Sequence, residues 1–216
     1  MVRELQKENS IINTYLNEIR DNTIQKDRMR FRANLKRIGS LMAYEISKKL
    51  DFSEREVITP LGKASGFDLK SQPILGTVLR AGLPLHEGFL SVFDKADNAF
   101  ISAYRKHHSG DEFEVEVEYV SCPDIENRTL ILVDPMLATG RSMYLSYQSL
   151  VKQFGKPAKT FIVSVIASNE GVEYIKEKIG KNAELYMGAI DEELTAQAYI
   201  VPGLGDAGDL AYGEKE

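Results

Sequence analysis

An acid set between a buried strand and a small polar turn is the first arrangement in this chain able to do chemistry. Leu130 to Val133 is apolar at every position, Asp134 closes the run, and Ala138-Thr139-Gly140-Arg141-Ser142 follows shortly after. The turn opens an amphipathic helix whose apolar side is Met143, Tyr144, Tyr147, Leu150 and Val151. The free N–H groups of such a turn and of the helix N-terminus face one point, and both favour an anion. Thr139 and Ser142 add hydroxyl donors. Asp134, at the carboxyl end of a central strand, stands where open α/β sheets bind ligands. The chemistry this suits is phosphate binding beside an acid. A buried strand leading to an ordinary capped helix is the plain alternative.

A second strand, Pro73 to Leu79, runs directly into Arg80-Ala81-Gly82. Small residues let backbone N–H groups approach a ligand closely. Arg80 brings a forked, permanent charge suited to phosphate oxygens, although a solvated Arg on a surface turn would read the same way. Arg105 ends a third strand, behind Tyr104. His107 and His108 have the look of a metal pair, but neighbours in a strand point to opposite faces. No Asp-His or His-x-x-x-His spacing accompanies them, so a solvated loop is expected there. Cys122 is the single cysteine, beside Pro123 and without a nearby His, and an inert thiol is expected.

Gly203-Leu204-Gly205-Asp206-Ala207-Gly208 spells a formal G-x-G-x-x-G. A dinucleotide fingerprint needs a following βαβ unit and an acid about 20 residues on. The sequence ends at Glu216 and supplies neither, so a glycine-rich terminal loop is the simpler reading. No Gly-Lys-Ser/Thr follows the glycine-rich turn, which argues against an NTPase.

The wording of these segments adds to their pattern. Val133-Asp134-Pro135-Met136-Leu137-Ala138-Thr139-Gly140 closely resembles the ribose-phosphate signature of the type I phosphoribosyltransferases, in the form found in their uracil phosphoribosyltransferase branch. Leu79-Arg80-Ala81-Gly82-Leu83 resembles the family's pyrophosphate-binding loop. Tyr199-Ile200-Val201-Pro202-Gly203-Leu204-Gly205-Asp206-Ala207-Gly208-Asp209 nearly reproduces its uracil-binding segment and is the most specific of the three. The likeness runs from about Arg30 to Gly213.

The resemblance implies transfer of a phosphoribosyl group from 5-phospho-α-D-ribose 1-diphosphate (PRPP) to uracil, giving UMP and diphosphate in pyrimidine salvage. It assigns PRPP to Arg80, Ala81, Gly82, Arg105, Asp134, Pro135, Met136, Leu137, Ala138, Thr139, Gly140, Arg141, Ser142 and Asp206. Backbone groups of Ile200, Gly205 and Ala207 would read the uracil edge, with Asp206 nearby. Arg105 and Asp206 would be catalytic, and Mg²⁺ would be held mainly through the diphosphate, with Asp206 close to it. Homodimers or homotetramers are common in the family. GTP activates some members, which makes it a candidate effector. The chain departs from the family at Arg141 and Ala198, where Gly is common, and after Arg105, where Asn and acids are usual.

The elements that must position these groups are legible from periodicity. Phe31, Leu35, Ile38, Met42, Ile46 and Leu50 step by three and four, which predicts a long helix over Lys26 to Leu50. Met1 to Gln25 reads as an irregular or packing arm. Glu56 to Thr59 is a short strand signal, Pro60 a breaker, and Gly62 to Ser71 a turn. Leu85 to Phe93 reads as helix and Ala99 to Tyr104 as strand. Phe113, Val115, Val117 and Tyr119 alternate with Glu114, Glu116 and Glu118, a strand with one wet face. With Ala99 to Tyr104 it suggests a hairpin lid over about residues 99–120. Thr160 to Ile166 and Glu184 to Ile190 are further strands around a helix over Ser168 to Lys178. The tail over 190–213 reads as an irregular hood. Alternating strands and helices predict one α/β domain, 1–216, with a mainly parallel central sheet flanked by helices.

Composition bounds the rest. The 216 residues suit about one or two domains. A hydrophobic share of 43% with 27% charged is ordinary for a globular chain. Net charge is -5, so no global basic footprint for nucleic acid exists and anionic substrates need local positive groups. One cysteine excludes an intrachain disulfide and suits a reducing compartment, the cytoplasm. The polar N-terminus shows no secretory signal, and no apolar run reaches the roughly 18 residues of a membrane span. Three rivals stay open at this level. They are a nucleotide- and RNA-binding regulator on the same fold, a transferase for another base, and a catalytically silent homologue. The charge weighs against the first, the tail against the second, and the intact set of polar residues against the third.

Overall fold

The computed structural model describes residues 1–107 and 113–214, with the backbone alone for 103–107 and 113–117. The chain opens with strand β1 (Val2–Glu4) and helix α1 (Ile11–Arg20). The first 25 residues are therefore more regular than expected. Ile12, Leu16 and Ile19 fall on one buried helix face, a short stripe hidden in sequence by its polar neighbours. Helix α2 (Arg28–Ser47) is the expected long helix. Asp27 caps it, accepting from the Arg30 N–H at 3.0 Å, and Phe31, Leu35, Ile38, Met42 and Ile46 are buried.

Strands β2 (Phe52–Thr59) and β3 (Gly62–Leu69) form an antiparallel hairpin with Pro60-Leu61 at its tip. The sequence suggested a short strand and then a turn. The ladder, rather than side-chain burial, holds this hairpin, since every β2 residue is exposed. No apolar alternation marks such a strand.

The chain continues through β4 (Ile74–Leu79), α3 (Leu83–Leu90), β5 (Asp97–His107), β6 (Phe113–Ser121), β7 (Thr129–Val133) and β8 (Met136–Leu137). Then come α4 (Arg141–Phe154), β9 (Lys159–Ser168), α5 (Asn169–Ile179) and β10 (Ala183–Asp191). The tail is not wholly irregular. It holds a two-stranded ribbon, β11 (Glu193–Leu194) with β12 (Ile200–Val201), and a short helix α6 (Ala207–Tyr212). Asp206 caps α6, accepting from the Asp209 N–H at 2.9 Å.

The main sheet has eight strands in the order β1-β10-β9-β7-β4-β5-β6, with β8 also on β9. β6 runs antiparallel to β5 and the other described pairings are parallel. This is the mixed α/β, mainly parallel sheet the alternation predicted. Its central strands are buried on both faces, which explains their unbroken apolar runs. Ile131 and Val133 of β7 pack with α2 and α3, while Leu130 and Leu132 pack with α4 and α5. The order of strands reverses between β4 and β7. β4 crosses through α3 to β5 on one side, while β7 lies on its other side. Ligands in open α/β sheets bind beyond the carboxyl ends of the strands at such a reversal.

Candidate active site

A cavity of about 880 Å³ opens at that reversal. Three segments far apart in sequence line it: Val78 to Ala81 at the end of β4, Asp134 with Met136 to Gly140 and Ser142 after β7, and residues between Ala198 and Gly208 of the tail. Each element delivers its residues by ending at the same edge of the sheet.

The turn after β7 is held from below. The Asp134 N–H donates to the Val163 carbonyl at 3.1 Å, and the Met136 N–H donates to Asp134 Oδ1 at 3.3 Å. The Pro135 carbonyl accepts from the Val165 and Ile166 N–H groups at 3.2 and 3.0 Å. Ser168, fully buried at the end of β9, donates from Oγ to the Ala138 carbonyl at 2.6 Å. The same Oγ accepts from the Gly171 N–H at 2.9 Å and so caps α5. One hydroxyl thereby fixes the turn to the start of α5. Sequence reading missed Ser168; its one local signal was a Ser directly before a helix.

The turn after β4 approaches from the other side. The Leu79–Arg80 peptide is cis. Gly82 is required by packing, since a Cβ there would lie 2.2 Å from Thr77 Oγ1 and 2.6 Å from the Val78 carbonyl. Arg80 Nη2 donates to Asp209 Oδ1 at 3.0 Å and to the Gly213 carbonyl at 2.5 Å, tying this turn to α6. Its Nε is buried without a hydrogen-bond partner.

The tail closes the cavity. Tyr199, Ile200, Gly205, Asp206 and Ala207 line it. Gly205 has φ +93, a conformation that favours glycine, and open space where a side chain would stand. The backbone there is bare toward the cavity, which suits recognition of a flat ring by main-chain groups.

The known proteins most informative for this chain agree with that geometry. The family model for uracil phosphoribosyltransferase matches residues 6–214. The chain belongs to the uracil phosphoribosyltransferase family. A uracil phosphoribosyltransferase of Porphyromonas gingivalis is 50% identical over 214 residues, covering 99% of each chain. One from Pyrococcus furiosus is 41% identical over 202 residues, covering 92% of this chain and 84% of its own. A solved structure from Aquifex aeolicus superposes with TM-score 0.87 at 32% identity, covering 99% of this chain and 98% of that one.

Most residues singled out from the sequence share this family cavity. Arg80, Ala81, Asp134, Met136, Leu137, Ala138, Thr139, Gly140 and Ser142 line it, as do Ile200, Gly205, Asp206 and Ala207. Gly82 and Pro135 are buried behind it, and Arg141 is exposed at its margin, outside the lining. The side chains of Arg105 and His107, and the whole of His108, lie outside the described residues. Ser102 and Met143 also line the cavity, and neither stood out in the sequence. Among the described residues no group of three or more His, Cys, Asp or Glu side chains forms a metal cage. No described helix is long and apolar enough to cross a membrane.

Cys122 is half-buried, and burial pushes its thiol up to about 11. The thiolate is then scarce at neutral pH, as expected of an inert cysteine.

Proposed function

We propose that this chain joins uracil to PRPP, giving UMP and diphosphate, and that the cavity at the strand reversal is where it does so. The observation that carries the proposal is convergence. A phosphate-type turn, an arginine turn and a glycine-rich tail, separate in sequence, meet around one cavity. We read the chain as one phosphoribosyltransferase unit with an N-terminal arm, a β5–β6 lid and a base-binding hood in the tail.

In this reading the Ala138 to Ser142 turn holds the 5′-phosphate through its N–H groups, the Thr139 and Ser142 hydroxyls and the N-terminus of α4. Asp134 accepts from the ribose hydroxyls, with Pro135 to Leu137 shaping the wall beside them. Arg80 and Arg105 take the diphosphate oxygens as forked cations. Main-chain groups of Ile200, Gly205 and Ala207 hold the uracil edge, which places N1 against the anomeric carbon. Asp206 is the residue that would lie near Mg²⁺, and the ion, when bound with PRPP, would supply charge neutralisation on the leaving group. Asp206 accepts the N1 proton or orders water around the diphosphate. Little covalent work is asked of the protein. It holds two partners in line and meets the charge that develops as diphosphate departs.

Two finer points belong to the same proposal. A homodimer or homotetramer is supported by exposed apolar side chains on the β2–β3 hairpin, with Ile58 82%, Leu61 100% and Phe67 70% exposed. GTP is carried as a candidate effector on the family resemblance alone, and a GTP titration of the rate tests it.

Arg105→Ala tests the assigned chemistry. The variant should keep its circular dichroism spectrum and lose about a hundred- to a thousand-fold in turnover, the usual loss for one charge-stabilising donor. Turnover equal to the parent's would remove Arg105 from the mechanism.

A further inference from the structure

The hood hangs from short elements, a two-stranded ribbon and a helix of six residues. Base recognition by main-chain groups needs them placed to within about half an ångström. A bidentate polar contact to this segment comes from outside the cavity. Arg20, the last residue of α1, donates from Nη1 to Asp191 Oδ2 at 2.7 Å and from Nη2 to Asp191 Oδ1 at 2.8 Å. Asp191 is the last residue of β10 and is 7% exposed. Both also grip the hood at Gly203. Arg20 Nη1 donates to the Gly203 carbonyl at 2.9 Å, and the Gly203 N–H donates to Asp191 Oδ2 at 2.9 Å. Two bonds thus join Arg20 to Asp191, and two more hold the backbone N–H and carbonyl of Gly203, two residues before Gly205.

Neither Arg20 nor Asp191 lines the cavity. A buried ion pair is weak evidence for stability, because desolvation offsets the attraction. A bidentate fork does fix direction and distance. We infer that Arg20 and Asp191 are positioning residues that set the place of the hood over the base, and so govern uracil recognition without touching substrate. β10 belongs to the main sheet and α1 packs its buried face into the core, so the clamp refers the hood to the frame that also carries the phosphate turn. The inference rests on the reading of the hood as the base site.

The test compares Asp191→Asn, Arg20→Lys and Gly205→Val by steady-state kinetics with uracil and PRPP varied separately. Arg20→Lys keeps the charge and loses the fork, and it carries the test if Asp191→Asn does not fold. Each clamp variant should raise KM for uracil by about tenfold or more, as expected for a small misplacement, with KM for PRPP changed less than about twofold. Equal changes in both KM values, or none, would reduce the clamp to a structural contact and overturn the inference. Gly205→Val separates the two layers. If it leaves KM for uracil unchanged, the hood is not the base site. If it raises that KM while both clamp variants do not, the clamp inference alone fails.

Discussion

His86 shows how one buried side chain records the pH range of the fold. It is 3% exposed, and its Nε2 lies 2.8 Å from Asn98 Oδ1. Asn98 Nδ2 donates to the Ala96 carbonyl, so Oδ1 is the acceptor and Nε2 carries the proton. Nδ1 is then bare, buried and without a hydrogen-bond partner. Burial pushes the His86 pKa below its ordinary 6.5, while Asn98 and Glu87 pull it up less strongly. The folded protein therefore binds fewer protons at this site than the unfolded chain. The His86 contribution to stability is full above about pH 6.5 and is lost as pH falls below it toward the lowered folded value, with a slope of at most about 1.4 kcal/mol per pH unit. A His86→Gln variant should show a flatter dependence of Tm on pH in that acid window. Equal slopes in the two proteins would mean that His86 does not report there. At the same scale, Arg80 is committed through Nη2 to Asp209 and Gly213, so its place in the turn after β4 is fixed from the α6 side.

At the scale of elements, the site is built from strand ends and from the helices that follow them. The α5 start illustrates this, because Ser168 serves helix and turn with one hydroxyl. Ser168→Ala should cost about 1 kcal/mol of stability, as for a lost cap, and should also raise KM for PRPP. Loss of stability with an unchanged KM would confine Ser168 to capping. Much at this scale was legible in sequence. The strand around Ile131 shows as an unbroken apolar run and the helix around Leu35 as a three-four period, because each pattern follows from local burial. The β2–β3 hairpin was not legible, since its exposed residues leave no alternation to detect. Ser168 with Ala138, and Arg20 with Asp191, were not legible either. They are 30 and 171 residues apart, and no local pattern encodes such a meeting.

The whole molecule is acidic, with net charge -5, yet its proposed substrates are anionic. In the proposed reading, turn N–H groups and Arg80 in the cavity lining would supply the positive field locally. The β2–β3 hairpin exposes Ile58, Leu61 and Phe67, and it is the face proposed above to meet a second copy. An Ile58→Ser, Phe67→Ser double variant should sediment as a smaller species than the parent. Identical sedimentation of the two would remove the hairpin from any interface. The wording of the three cavity segments made the family legible in sequence, and their convergence at one edge of the sheet came only with the fold.

The most direct measurement of the central claim is diphosphate release from PRPP and Mg²⁺ with uracil, cytosine, orotate and hypoxanthine assayed in parallel. Turnover with uracil and none with the other three is the result predicted by a phosphate turn, an arginine turn and a uracil-reading hood around one cavity. Folded protein that releases diphosphate with another base, or with none, would contradict it.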